Sequence, residues 1–133
     1  MNPYYEIVAW RARHRCEYCG APEVVFNFPF EVEHIIPLSL GGKTVYVNLA
    51  LACRACNLFK SNHIFVFDEI ARAEIGLFNP RLDEWDEHFQ IDLETGEIKG
   101  LTPIGRVTVS QLQMNNPAQL IARIQWIRWG VFP

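Results

Sequence analysis

The chain has 133 residues, of which 50% are hydrophobic and 20% charged, and its formal net charge at pH 7 is −3. This composition predicts one compact soluble domain with a small appended part. No apolar run approaches the roughly 18 residues of a membrane-spanning helix, which excludes that class, and we expect no membrane contact. Most of the acidic residues lie in the second half, so any contact with a polyanion is expected in the first half.

The N-terminus shows no basic stretch followed by an apolar one, so we expect no signal peptide and a cytoplasmic location. In a reducing compartment, the four cysteines are expected to be thiols or metal ligands rather than disulfides.

The first half of the chain predicts four elements in order. Apolar residues at helical spacing predict a helix over about 3–14. β-favouring residues predict a strand within 26–37, the glycine pair 41–42 breaks the chain, and 48–52 can return as a second strand. The stretch RACNLFKSN, residues 54–62, has the length of a short helix.

The second half predicts a hairpin followed by two helices. The hairpin covers 87–101, with Thr95 and Gly96 at the turn. One helix follows Pro103, and another starts at 116–117, where Asn caps and Pro fits the first turn. The last helix has an apolar stripe that must pack on the N-terminal helix or on a second subunit, at Leu120, Ile121, Ile124 and Ile127. We therefore leave monomer and homodimer both open.

The cysteines form two pairs with C-x2-C spacing, Cys16 with Cys19 and Cys53 with Cys56. Four thiolates are a preferred ligand set for structural zinc. The interval between the pairs is compatible with one site if the intervening chain is a hairpin that returns to its start. The alternative is a set of buried or redox-active cysteines. A zinc ion with four cysteine ligands would stabilise the fold and leave no open position for chemistry.

Between and beside the pairs lie EHIIP at 33–37, the glycine pair 41–42, NLALAC at 48–53, and CRACN at 53–57, which Lys60 follows. Over roughly residues 14–62, this order of residues resembles the HNH endonuclease family. The resemblance implies an α+β fold: a ββα-metal core with a structural zinc site over 1–64, and a C-terminal extension of a hairpin and helices over 65–133 that packs on it.

The resemblance also implies roles for four residues. His34 corresponds to the general base, and Glu33 and Asn57 to ligands of a catalytic Mg²⁺ or Mn²⁺. Asn48 fixes the loop or orients His34. Successive strand side chains point to opposite faces, so Glu33 and His34 cannot share one role. Carboxylate and amide oxygens suit a hard divalent cation, and imidazole suits proton transfer near neutral pH.

Two basic residues of the predicted helix, Arg54 and Lys60, lie three residues to either side of Asn57 and could contact phosphates. The alternative is an ordinary solvated cationic face. His63 is out of helical phase with Asn57, so we expect a capping or surface role for it.

The sequence thus predicts a metal-dependent HNH endonuclease that hydrolyses DNA phosphodiesters by a one-metal mechanism, with RNA as another possible substrate. The alternative function is a catalytically inactive zinc-knuckle module that binds nucleic acid or protein.

Overall fold

The computed structural model describes residues 1–133 as five helices and three separate two-stranded antiparallel sheets. The helices are α1 Tyr5–Arg11, α2 Arg54–Lys60, α3 Trp85–His88, α4 Pro103–Gln111 and α5 Pro117–Arg128. The strands are β1 Glu31–His34, β2 Leu49–Ala52, β3 Phe65–Asp68, β4 Ala73–Gly76, β5 Phe89–Ile91 and β6 Ile98–Gly100. The predicted α+β class is confirmed.

The predicted ββα unit is formed by β1, β2 and α2. Strands β1 and β2 pair antiparallel, with Glu31 opposite Ala52 and His34 opposite Leu49. All four residues of β2 are buried, because α1 and α2 both pack against this hairpin. The sequence LALA is compatible with this burial, because Leu and Ala side chains have no polar atoms that would need hydrogen-bond partners in the interior. The hairpin therefore returns the chain to its start.

Helix α1 is shorter than the predicted span of 3–14. It ends at Arg11, because Arg13 and His14 adopt positive φ values of 56° and 54°. This left-handed turn leads the chain from the helix into the first cysteine pair.

In the second half, the predicted hairpin and two helices are confirmed. Gly96 has a φ of 76° in the β5–β6 turn, a conformation that glycine adopts without steric cost. The Thr102 side chain accepts a hydrogen bond from the Gly105 amide at the start of α4. The Asn116 side chain accepts one from the Gln119 amide at the start of α5, as its capping position predicted.

The sequence reading missed the β3–β4 hairpin. Phe65 and Phe67 are 56% and 50% exposed, while Asp68 at the end of β3 is buried. The large apolar side chains of β3 thus point outward. This reverses the usual alternation of buried apolar and exposed polar residues on which strand prediction depends.

Helix α5 buries the predicted apolar stripe only in part, because Leu120, Ile124 and Ile127 are half-buried. The buried residues are Gln119, Arg123 and Trp126, whereas Ile121 is 67% exposed. With 12 residues, α5 is the longest helix, and none of the helices is both long and apolar enough to cross a membrane.

The C-terminal segment packs directly on the cysteine region. The Trp85 indole donates to the Tyr18 carbonyl oxygen at 2.7 Å, and the Arg15 guanidinium donates to the Val131 carbonyl oxygen at 2.8 Å. The Gln111 amide donates to the Phe59 carbonyl oxygen at 3.0 Å. One hydrophobic cluster contains the four cysteines together with residues of the extension. The division into 1–64 and 65–133 stays a prediction.

Candidate functional site

The four cysteines meet in one buried cluster. The sulfur atoms of Cys16, Cys19, Cys53 and Cys56 all lie within 4.8 Å of one another. The Sγ atoms of Cys19 and Cys53 are 3.8 Å apart. In a tetrahedral site with Zn–S bonds of about 2.3 Å, two sulfurs are separated by about 3.8 Å, so the cluster has the right size for zinc.

Backbone geometry positions each cysteine pair. In the first pair, the Cys16 amide donates to the Ala21 carbonyl and the Gly20 amide donates to the Cys16 carbonyl, both at 2.9 Å. Gly20 takes a φ of 80°, which closes this tight turn. In the second pair, Cys53 caps α2, and the Cys56 amide points to its Sγ atom at 3.5 Å. The start of the helix thus directs both sulfurs of this pair into the cluster.

His34 ends β1, and its ring is held by one side chain. Its Nε2 atom lies 2.8 Å from the Thr44 hydroxyl oxygen. This contact leaves Nδ1 as the ring nitrogen available to water or substrate. The sequence analysis did not predict a role for Thr44. The only indication in the sequence was that a residue with a hydroxyl group lies in the loop between β1 and β2.

Asn48 fixes the loop between the two strands. Its Oδ1 atom accepts from the Ile36 amide at 2.9 Å, and its Nδ2 atom donates to the carbonyl oxygens of Ile36 and Lys43 at 3.0 and 2.9 Å. The Asn48 side chain makes no hydrogen bond to His34. These three bonds hold the backbone of the loop that follows His34 and contains Thr44. Of the two roles expected for Asn48, they correspond to fixing the loop.

Gly42 is required at its position by a close backbone approach. A Cβ atom there would lie 1.8 Å from the Ile36 carbonyl oxygen and 3.0 Å from Asn48 Nδ2. By contrast, a Cβ atom on the neighbouring Gly41 would meet nothing within 4 Å. The second glycine of the pair therefore lets the loop fold onto Asn48.

Glu33 lies in the interior, 6% exposed. One carboxylate oxygen accepts a short hydrogen bond from the Tyr18 hydroxyl, and the other lies 3.1 Å from the Lys60 ammonium. Burial raises the pKa of Glu33, and the charge of Lys60 acts in the opposite direction. Both oxygens of this predicted ligand are thus engaged by protein groups.

The structure corrects the expectation for Lys60. This side chain was predicted to be a phosphate contact on a cationic helix face, but it is only 2% exposed. Its ammonium also donates to the His34 and Ile35 carbonyl oxygens, at 3.2 and 2.9 Å. Arg54 is 86% exposed, so the two basic residues do not share one side of α2, and the side that carries Lys60 faces β1.

Asn57 contacts a carboxylate that the sequence reading did not select. The Asn57 side-chain amide makes a short hydrogen bond with Glu31, whose side chain is 41% exposed. Glu31 lies two residues before Glu33 and therefore on the same face of β1, a signal present in the sequence. The carboxylate and the amide together offer oxygen donors of the kind that Mg²⁺ and Mn²⁺ prefer.

The two remaining residues lie at the ends of α2. The Arg54 side chain is 86% exposed and lies 4.0 Å from Glu31, so its predicted contact with nucleic acid stays a prediction. Nδ1 of His63 lies 3.2 Å from the Lys60 carbonyl oxygen. This position at the end of α2 agrees with the capping or surface role expected for His63.

A comparison with protein families matches residues 16–63 to the HNH endonuclease family. The matched segment starts at Cys16, the first cysteine of the cluster, and contains His34, Asn48 and Asn57. The resemblance predicted from the sequence is confirmed for this segment. No curated protein and no solved structure matches the chain.

The cysteine cluster predicts about one zinc per chain, measurable by elemental analysis of protein purified without added zinc. Cys53→Ser should lose the zinc and unfold, because structural zinc contributes folding free energy. Ser110→Ala, a change in α4 remote from the cluster, is the control and should keep zinc. Metal-free protein with wild-type thermal stability would contradict the prediction.

The loop geometry predicts different behaviour for the two adjacent glycines. Gly42→Ala should speed hydrogen exchange of the Ile36 amide by about tenfold or more, because the added Cβ separates the loop from Asn48. Asn48→Ala should do the same by removing the acceptor of that amide. Gly41→Ala is the matched control. It carries backbone strain but no clash, so Ile36 protection should survive, and equal exchange in all three variants would refute the assignment.

Proposed function

We propose that this chain, whose residues 16–63 match the HNH endonuclease family, hydrolyses phosphodiester bonds of DNA with a divalent cation. The observation that supports this most directly is the position of His34. His34 lies at the end of β1, and Thr44 holds its ring. The partly exposed contact between Glu31 of β1 and Asn57 of α2 belongs to the same ββα unit. A proton acceptor and hard oxygen donors are thereby brought to one ββα unit.

We propose that His34 is the general base. With Nε2–H donating to the Thr44 hydroxyl oxygen, Nδ1 keeps its lone pair and can accept a proton from the attacking water. Thr44 then acts as a positioning residue, because its hydroxyl holds the ring orientation and can accept from Nε2–H. Asn48 supports this arrangement by holding the loop in which Thr44 lies.

For the cation, we propose binding by Asn57 together with a carboxylate of β1. When bound, Mg²⁺ or Mn²⁺ stabilises negative charge on the phosphate and on the departing oxygen. Glu31 already lies beside Asn57 and is partly open to solvent. Glu33, the ligand predicted from the sequence, can take part only if it gives up its contacts with Lys60 and Tyr18.

Arg54 is the residue that we propose as a contact to substrate phosphate. Its guanidinium is 86% exposed beside Glu31, at the start of the same helix as Asn57. The net charge of −3 limits non-specific affinity for DNA, because that affinity depends on neutralising phosphates. The substrate is therefore expected to be held largely at the cation and at this arginine.

The alternative function, a module that binds without cleaving, is favoured by one observation. The Glu33 carboxylate is paired with the buried Lys60 ammonium, so an internal cation already compensates the charge of a residue expected to bind metal. The cleavage assay below separates the two functions.

Cleavage of supercoiled plasmid with Mg²⁺ or Mn²⁺ tests the nuclease function. His34→Ala should lower the rate by about 10²–10⁴-fold, because it removes proton abstraction. Thr44→Val should lower the rate less, since the base remains but its ring is no longer held. His63→Ala is the matched control and should cleave at the wild-type rate. Full activity of His34→Ala would refute the mechanism, and an inactive wild-type protein would favour the binding module.

Metal titration of cleavage, with binding measured by calorimetry, tests the ligands. Glu31→Gln should raise the Mn²⁺ concentration needed for half-maximal rate, and Asn57→Ala should do so more mildly, because an amide contributes less than a carboxylate. His34→Ala should leave Mn²⁺ affinity unchanged. If Glu33→Gln weakens binding and Glu31→Gln does not, Glu33 is the ligand and the proposed place of Glu31 is wrong.

A further inference from the structure

Arg123 of α5 is a buried cation without a carboxylate partner. Its side chain is 0% exposed, and no Asp or Glu forms an ion pair with it. The guanidinium donates to the carbonyl oxygens of Gly96 and Met114 at 2.8 and 2.7 Å, and more weakly to Asn115 Oδ1 at 3.4 Å. Nε has no hydrogen-bond partner.

The desolvation of a buried guanidinium is unfavourable unless negative charge lies nearby. Moving a guanidinium out of water costs several kcal/mol even after relaxation, and neutral carbonyl groups offset only part of that cost. Hydrogen bonds alone therefore do not explain why α5 buries a charged residue while Ile121 on the same helix remains exposed.

The packing of the C-terminal segment leaves the Phe132 ring between Arg123 and the turn of the first cysteine pair. The guanidinium carbon lies 6.0 Å from the centre of the Phe132 ring. That ring in turn lies 3.1 Å from the position that a Cβ atom would take on Gly20, the residue after Cys19. Arg15, just before Cys16, donates to the Val131 carbonyl oxygen. The last residues of the chain thus join α5 to the turn of the first cysteine pair.

The cysteines are also the acidic groups that act on this arginine. Burial lowers the pKa of Arg123, and the charges of Cys19, Cys56, Cys53 and Cys16 raise it. No carboxylate takes part.

We propose that Arg123 is the counter-charge of the zinc–thiolate centre and thereby couples the C-terminal extension to that centre. Zn²⁺ with four thiolate ligands leaves two negative charges uncompensated in a site where the sulfurs are buried. A fixed guanidinium, separated from the turn of the first cysteine pair by the Phe132 ring, offsets part of that charge. The buried arginine and the buried tetrathiolate each reduce the cost of desolvating the other.

The proposal does not depend on nuclease activity, so its test measures zinc and not cleavage. Zinc-loaded full-length protein is mixed with an excess of a chromophoric zinc chelator, and the rate of zinc transfer is recorded. Arg123→Met should release zinc about 10- to 100-fold faster, the range typical for losing a group that supports metal ligands. Arg123→Lys keeps the charge and should release zinc within about threefold of the wild-type rate.

A neutral variant separates charge from packing. Asn115→Ala removes an acceptor of the guanidinium and two hydrogen bonds to Ile98 but leaves the charge of Arg123 in place. If the rate of zinc release depended only on the stability of the extension, Asn115→Ala and Arg123→Met proteins with the same melting temperature would release zinc at the same rate. The proposal predicts near wild-type release for it.

Three results would overturn the proposal: wild-type release from Arg123→Met, equal acceleration in Arg123→Met and Arg123→Lys, or rapid release from Asn115→Ala. A purified wild-type protein that contains no bound zinc would overturn it as well. If Arg123→Met is insoluble, Arg123→Gln takes its place. If that is insoluble too, Arg123→Lys alone decides: wild-type release supports the proposal, and tenfold faster release refutes it.

Discussion

The convergence of four cysteine side chains is the constraint on which the rest of the structure depends. Two short segments, 16–19 and 53–56, must meet closely enough for all four sulfurs to lie within 4.8 Å. The chain between them can satisfy this requirement only by folding back on itself, and β1 and β2 do so as an antiparallel hairpin. Because Cys53 also caps α2, the same cluster sets where that helix begins.

Within this frame, the candidate site is built from buried polar groups rather than from an apolar core. Asn48 bonds to three backbone groups of the loop, and Lys60 joins the Glu33 carboxylate to the backbone of β1. Each of these groups would be costly to bury without its partners. The network therefore fixes the backbone around His34 more tightly than apolar packing could, because hydrogen bonds depend on direction as well as on contact.

The extension contributes to the cysteine region from the outside. The indole of Trp85 and the segment at Val131 and Phe132 contact the first cysteine turn, and the Arg123 guanidinium lies 6.0 Å from the centre of the Phe132 ring. The extension thus covers a cluster whose cysteines lie entirely in the first half. This explains why the apolar cluster runs without interruption between the two halves.

The sequence by itself determined the features that depend on neighbours along the chain. The C-x2-C spacing identified the four cysteines that form one cluster, the glycine pair marked the loop, and Asn116 with Pro117 marked the start of α5. Each of these signals depends on residues only a few positions apart, where backbone geometry links spacing directly to structure. Alternation in β1 likewise predicted that Glu33 and His34 would point to different environments.

Only the tertiary structure decided which partner each polar side chain meets. Lys60 was expected on a cationic side of α2 together with Arg54, but the packing of α2 on β1 buries Lys60 and leaves Arg54 exposed. The contacts of Asn57 with Glu31 and of His34 with Thr44 join residues that no local pattern relates. Helix α5 shows the same limit, because its most deeply buried residues are Gln119, Arg123 and Trp126 rather than those of the apolar stripe. Local spacing shows where a side chain points, whereas its environment depends on packing between distant segments.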